Sequence, residues 1–234
     1  MADQTFRLVF KNTLEFTFAC LLIQFTVGFL FAMFFSKKFT LAGPIRGLVL
    51  VGYMMPMSVT ALLGKNLFLL DGGVINDLLM KLHLVSAPVD WLVNGGTALS
   101  AVIAVNCWVG IPFNMLLLTT GLNDIPADIY EAASIDGASG LQKFMKITIP
   151  LLKPTIMSVL VLGFVLTFKV FDLVYVMTGG GPVDATEVLS TFSYKLSFQL
   201  FHFGEGAAVA NILFVCLFLV ALVYLKTISK DEVM

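Results

Sequence analysis

Long apolar runs alternate with short polar connections along this chain. Five runs are long enough to cross a bilayer, which takes about 20 residues. They are Thr13 to Phe35, Gly47 to Leu70, Thr97 to Leu122, Thr155 to Met177 and Gly206 to Leu225. Backbone in hydrocarbon must satisfy its own hydrogen bonds, so each run predicts a helix. The pattern therefore predicts an all-α, polytopic membrane protein, with residues 1–234 forming one transmembrane domain. Gly28 and Ala32 in the first run are small residues at helical spacing, suited to a close helix contact. Gly52 and Pro56 predict a kink or an unwound stretch in the second.

The connections carry their own signals. Asn123 to Pro154 is the longest polar interruption with a regular pattern. It predicts two short helices joined by a glycine turn. Asn123 or Asp124 is placed to cap the first helix, with Pro126 in its first turn. Ile129, Tyr130, Ala132 and Ala133 give that helix an apolar side. Asp136-Gly137 ends it. Ser139 and Gln142 form a capping box for the second helix, which Pro150 and Pro154 are expected to end. Residues 71–96 hold turn signals at both ends, with a short helix expected from Val74 to Leu84 and Trp91 at a membrane interface. Residues 178–205 open on Thr178-Gly179-Gly180-Gly181-Pro182, and Glu187 to Phe203 is aromatic enough to lie on the membrane surface.

Composition agrees with the pattern. The chain is 59% hydrophobic and 12% charged, with mean hydropathy +0.96. A soluble domain of this size could not hide that much apolar surface. A net charge of -1 leaves no nucleic-acid footprint. Cys20, Cys107 and Cys216 stand alone in separate apolar runs, without metal-ligand or redox spacing. His83 and His202 have no flanking carboxylate pattern. The basic residues set the expected orientation. One set of connections holds Lys37, Lys38, Arg46, Lys143, Lys146, Lys153, Lys226 and Lys230; the other holds Arg7, Lys11, Lys81 and Lys195. The first set is expected in the cytoplasm, with the N-terminus outside, the C-terminus inside, and the 123–154 hairpin facing the cytoplasm.

That hairpin carries a specific motif. It reads Glu131-Ala132-Ala133, Asp136-Gly137-Ala138, Phe144, Ile147, Pro150 and Pro154. This resembles the EAA motif of permease subunits of binding-protein-dependent ABC importers, at every position of the pattern. Asn12-Thr13-Leu14, Phe16-Thr17, Phe171-Asp172, Thr178 to Pro182 and Thr186-Glu187-Val188 are similar to the sugar-permease branch, the maltose and glycerol-phosphate type. The likeness covers essentially the whole chain. It implies a MetI-like fold, and it makes the hairpin a coupling lever that inserts into an ATPase subunit through Tyr130, Glu131, Ala132, Ala133, Asp136, Gly137 and Ala138. It further implies a second homologous permease subunit, an ABC ATPase dimer, an extracytoplasmic substrate-binding protein, and a place in a bacterial or archaeal plasma (inner) membrane. Sugar-type subunits usually carry one more N-terminal span, and five spans can form the importer core.

No phosphate-binding loop is legible. The one Gly-Lys pair, Gly64-Lys65, is followed by Asn66, with Val59 where the first glycine belongs. The chain is therefore expected to be no enzyme and to hold no cofactor, with ATP and magnesium on the partner ATPase. Polar residues inside spans are the candidates for a substrate path. They are Asn106, Asn114, Lys169, Asp172, Tyr175 and Asn211, with interhelical hydrogen bonding as the competing role for each and mutual neutralisation as a further one for Lys169 and Asp172, three apart. The reading is an importer permease for a sugar or sugar derivative. An ion-coupled secondary transporter and a non-transporting membrane scaffold or sensor stay open as alternatives.

Overall fold

The computed structural model describes residues 2–37 and 40–231. Lys38 and the side chain of Lys230, both used in the charge count, lie outside the described residues. Among the described residues, four helices are long and apolar enough to cross a membrane: 4–35, 95–123, 140–168 and 203–226. A bent pair supplies a fifth. These are α2 (Ala42–Met54) and α3 (Met57–Leu67), which meet at 96°. Pro56 sits at the break. Met55 before it is extended, at φ -74° and ψ 138°, as proline demands of its predecessor. The kink expected at Pro56 is present.

The first span, α1 (Ala2–Phe35), is one unbroken helix. It lies along α5 (Gly95–Asn123), the centre of the bundle. In α5, 56% of the most apolar stretch is buried, against 6% in the last span, α11 (Phe203–Asp231). Two glycines set the distance between α1 and α5. A Cβ at Gly28 would stand 2.7 Å from the Asn114 Cβ and 3.2 Å from backbone atoms of Ile111 and Met115. A Cβ at Gly110 would run into the Gln24 carboxamide. The small-residue contact expected at Gly28 is thus made, against the one α5 turn that Asn114 occupies.

Polar side chains fasten the connections. Asn76 in α4 (Val74–Lys81) is buried and donates to the carbonyls of Leu69, Leu70 and Val89. Its oxygen accepts from the Val89 N–H and from the Trp91 indole at 2.9 Å. One carboxamide therefore supports the whole 69–91 connection. Asn94 caps α5, its side chain accepting from Gly96 N–H.

At one end of the bundle lie the short helices α6 (Ala127–Ile135) and α7 (Gly140–Lys143). A π-helical turn, Phe144–Thr148, joins α7 to α8 (Ile149–Phe168). The prolines therefore do not end the second short helix. Pro150 falls in the first turn of α8 and Pro154 lies inside it. The widened turn accommodates Pro150, because backbone bonds there are displaced by one residue. Thr148 closes the gap, its hydroxyl reaching the Lys143 carbonyl at 3.5 Å. Asn123 is likewise no cap for α6: it is the last residue of α5, and Pro126 takes the cap position without a side-chain bond. α8 ends at Phe168, and α9 (Asp172–Met177) follows as a separate piece.

Gly28→Val forces α1 away from α5, since the blocking atoms include backbone. Overpacking of this kind costs about 1–3 kcal/mol. The variant is expected to melt several degrees below the parent in detergent, whereas Gly43→Ala, with open space at the site, should leave the melting point nearly unchanged.

Candidate functional site

The lever is built from α6, a glycine turn and α7. Its turn has the hydrogen bonds of a Schellman motif. Ala138 N–H donates to Ala133 O at 2.9 Å and Gly137 N–H to Ser134 O at 3.1 Å. Gly137 has φ +76°, a conformation that costs other residues about 1–2 kcal/mol. Ser139 and Gln142 form the expected capping box, at 2.7 and 3.3 Å. Tyr130 faces inward, its hydroxyl 2.9 Å from that of Thr148, and so ties α6 to the foot of α8. Phe144 touches the Phe29 ring at 6.1 Å, tying the lever to α1.

Glu131, Ala132, Asp136 and Gly137 are exposed, and Ala133 and Ala138 are half-buried. The two short helices enclose a cleft of about 400 Å³ bordered by Ala133, Gly137, Ala138, Gln142 and Lys146. Ile135, Leu141 and Met145 also stand out from the lever, Ile135 at 87% exposure. The motif does not include these three. Their apolar character next to a helix end was the available signal.

A second feature lies about midway along α1 and α5. A cavity of about 220 Å³ opens among Gln24, Tyr53, Asn106, Gly110, Phe113 and Thr167. Gln24 and Asn106 are both buried, and Gln24 Nε2 donates to the Asn106 carbonyl at 3.2 Å. Asn106 is the one substrate-path candidate that borders this cavity. Asn114 is buried beside Gly28 and donates to the Gly110 carbonyl at 2.8 Å. Asp172 is exposed in the first turn of α9, Tyr175 is 40% exposed within a group of rings, and Asn211 is exposed on α11. Gln24 and Thr167 border the cavity without being among the sequence candidates. Gln24 is a strongly polar residue within the first apolar run, which was the available signal, but only the fold shows which helix it faces.

At the end away from the lever, stretches distant in sequence meet. Asn12 Nδ2 donates to the carbonyls of Asp184 and Glu187, at 3.0 and 3.2 Å. Thr13 Oγ1 accepts from Leu189 N–H at 3.0 Å, at the start of α10 (Leu189–Tyr194). The Thr178 and Thr186 hydroxyls are 2.7 Å apart and close the glycine loop. Glu187 is only 1% exposed. Gly180 leaves room for it, since a Cβ there would meet its carboxylate. Lys195 lies 3.6 Å from Glu187 and 2.8 Å from Asp184. Burial pushes the Glu187 carboxyl above the usual range, against the pull of Thr191 and Lys195. The Asp184 hydrogen bond holds Lys195 above its ordinary value.

Residues 6–231 match the family described as binding-protein-dependent transport system inner membrane component. The chain belongs to that family. The trehalose/maltose transport system permease protein MalF of Thermococcus litoralis is 35% identical over 214 residues, covering 92% of this chain and 72% of its own. The sulfoquinovosyl glycerol transport system permease protein SmoG of Agrobacterium fabrum is 31% identical over 206 residues, covering 88% and 66%. The maltose/maltodextrin transport system permease protein MalF of Salmonella typhimurium is 31% identical over 236 residues, covering 96% and 46%. The chain thus spans 46–72% of the length of these three relatives. A bacterial ABC transporter involved in the import of the acidic polysaccharide alginate superposes with a TM-score of 0.85 at 22% identity, over 97% of this chain and 79% of that one. An amino acid ABC transporter superposes at 0.66 and 16%, over 98% and 95%. At such identities the structures speak for the fold alone. The family read from the EAA stretch, and the all-helical permease fold it implied, both hold.

Glu187 also yields a stability test. A carboxyl raised by folding favours the folded state while protonated. Its contribution is complete below its unfolded value of 4.5 and fades as pH rises through the folded value. In detergent, the melting point of the parent is expected to fall over that rise, and Glu187→Gln should flatten the fall. An identical pH profile for the two proteins would show that Glu187 is not the group responsible.

Proposed function

We propose that this chain is the transmembrane permease subunit of an ATP-driven importer, and that it moves a sugar or sugar derivative by alternating access. The lever carries the reading. It is a rigid hairpin with an exposed acidic and apolar tip, fastened through Tyr130 and Phe144 to two different spans. A force on the tip therefore moves α8 and α1 together. The cavity between α1, α5 and α8 lies along those same spans. Carboxamides, a phenol and a phenyl ring suit a sugar, which offers hydroxyl edges and apolar C–H faces.

The excess of Lys and Arg on the lever side supports a cytoplasmic lever, with the N-terminus outside and the C-terminus inside. ATP and magnesium are bound and turned over by a partner ATPase dimer whose clefts receive the lever. A second homologous permease completes the pathway. An extracytoplasmic binding protein delivers substrate at the other end. The sugar assignment draws on relatives named for maltose, trehalose and sulfoquinovosyl glycerol transport. Closure of the ATPase pair pushes the levers and opens the cavity outward. The bacterial or archaeal inner membrane is the setting.

Gly137→Val tests the coupling. Valine at φ +76° shifts the turn by the equivalent of ~1.4 kcal/mol, so uptake per ATP hydrolysed should fall about tenfold. Membrane insertion and basal hydrolysis should persist. The assay uses the importer in proteoliposomes, with sugar uptake and phosphate release measured together. Unchanged coupling would sink the lever reading.

A further inference from the structure

We infer that the turn between α1 and α2 holds a phosphate-binding pocket, and that its occupant is the headgroup of an anionic phospholipid. The pocket holds about 750 Å³ and is bordered by Ser36, Lys37, Thr40, Arg46 and Asn123. Asn123 ends α5, just before the lever, so the pocket lies at the lever end of the bundle. It shares no residue with the cleft in the lever or with the cavity beside Gln24.

Its donors are in place and unused. Arg46 Nη2 donates to the Phe35 carbonyl at 2.8 Å, and the guanidinium lies over the Phe35 ring, 5.9 Å from its centre. That bond satisfies a carbonyl at the end of α1 and holds the guanidinium at the pocket wall. It is the one hydrogen bond Arg46 makes among the described residues, and Nε is buried with no partner. Among the described residues no carboxylate pairs with Arg46 or Lys37, and none borders the pocket. The Thr40 hydroxyl and the Asn123 carboxamide have no hydrogen-bond partner among them either. Only the Ser36 hydroxyl is committed, donating to Met33 O at 2.9 Å.

The chemistry selects a phosphate. Two unneutralised cations, a hydroxyl and an amide offer positive charge and donors, with no competing acid. A guanidinium fork matches pairs of phosphate oxygens. The start of α2 turns the positive end of its dipole the same way, and its first turn holds no acidic residue. A neutral ligand would leave both charges uncompensated.

Position selects a lipid over a free ion. The turn joins two spans. Leu41, Ile45 and Leu48 run from the pocket along α2 at helical spacing, and all three are exposed. An acyl chain covers such a stripe while its headgroup fills the pocket; a soluble phosphate covers none of it. Basic pockets between spans on the cytoplasmic side suit lipid headgroups. The choice of leaflet rests on the cytoplasmic lever proposed above; the pocket itself does not.

The test is lipid binding by the full chain in detergent micelles, with bound phospholipid followed by native mass spectrometry. It needs no ATPase, orientation or transport, so it can fail while the importer reading stands. Phosphatidylglycerol is expected to bind about tenfold more tightly than phosphatidylcholine. Lys37→Gln should weaken phosphatidylglycerol about fivefold, the effect of one basic residue near the headgroup. Arg46→Gln should weaken it about tenfold, since the fork is lost with the charge. Lys146→Gln, an exposed lever position outside the pocket, should change nothing. Arg46→Gln also releases the Phe35 carbonyl, so if that variant is unstable the exposed Lys37 decides. Millimolar inorganic phosphate should displace little phosphatidylglycerol. Four results would overturn the inference. The first is equal binding of the two lipids. The second is equal loss in Lys37→Gln and Lys146→Gln, which makes the attraction a diffuse surface charge. The third is displacement by inorganic phosphate, which makes the pocket a soluble-anion site. The fourth is loss of bound phosphatidylglycerol when the ATPase subunit is added, which makes it a subunit contact.

Discussion

The seam between α1 and α5 governs this structure. Gly28 lets the two helices approach until Asn114 fills the space a side chain would have taken. Gly110, one turn before Asn114, leaves the space that the Gln24 carboxamide occupies. Gln24 in turn bonds the Asn106 carbonyl and borders the cavity with the Asn106 side chain. The polar cavity therefore exists because two glycines let backbones meet. In a membrane this matters more than in water, since lipid tails offer apolar helices no hydrophobic reason to associate. Close packing and buried hydrogen bonds have to hold the bundle.

The two ends of the bundle solve different problems. At the lever end, an exposed hairpin must stay rigid without a core of its own. Backbone bonds of the Schellman turn, the capping box and the Tyr130–Thr148 contact supply that rigidity. The π turn at Phe144–Thr148 then lets the chain pass from hairpin to span without a break. At the far end, a glycine-rich loop is held by buried polar groups. Asn12 and Thr13 from α1 meet Glu187 and Leu189 from the last connection, which fixes the first and last parts of the chain against each other. Glu187 is buried, and it is tolerated because Lys195 lies beside it.

Much of this was legible in the residues. The lever's glycine turn and its capping box follow from local chemistry, and the EAA spacing identified the family; its outer ends do not, since Asn123 belongs to α5 and the second helix runs on into α8. The kink at Pro56 was legible for the same reason, because proline acts on its own neighbourhood. Pro150 and Pro154 misled: the widened turn before Pro150 removes the clash that normally stops a helix there, and Pro154 lies within α8 itself. The substrate path was the least legible part. Asn106, Asn114 and Asn211 look alike as amides in apolar runs, yet one borders the cavity, one packs a helix seam and one lies exposed on the outermost span.

The sequence by itself determined the membrane class, the lever and the family, because each depends on composition or on residues a few positions apart. The tertiary structure alone decided which polar residues face one another. Gln24 and Asn106, and Asn12 and Glu187, are separated by 82 and 175 positions. The apolar periodicity of a span says little about its rotation, because lipid and protein can both cover an apolar face. Only packing at Gly28 and Gly110 turned α1 so that Gln24 met α5.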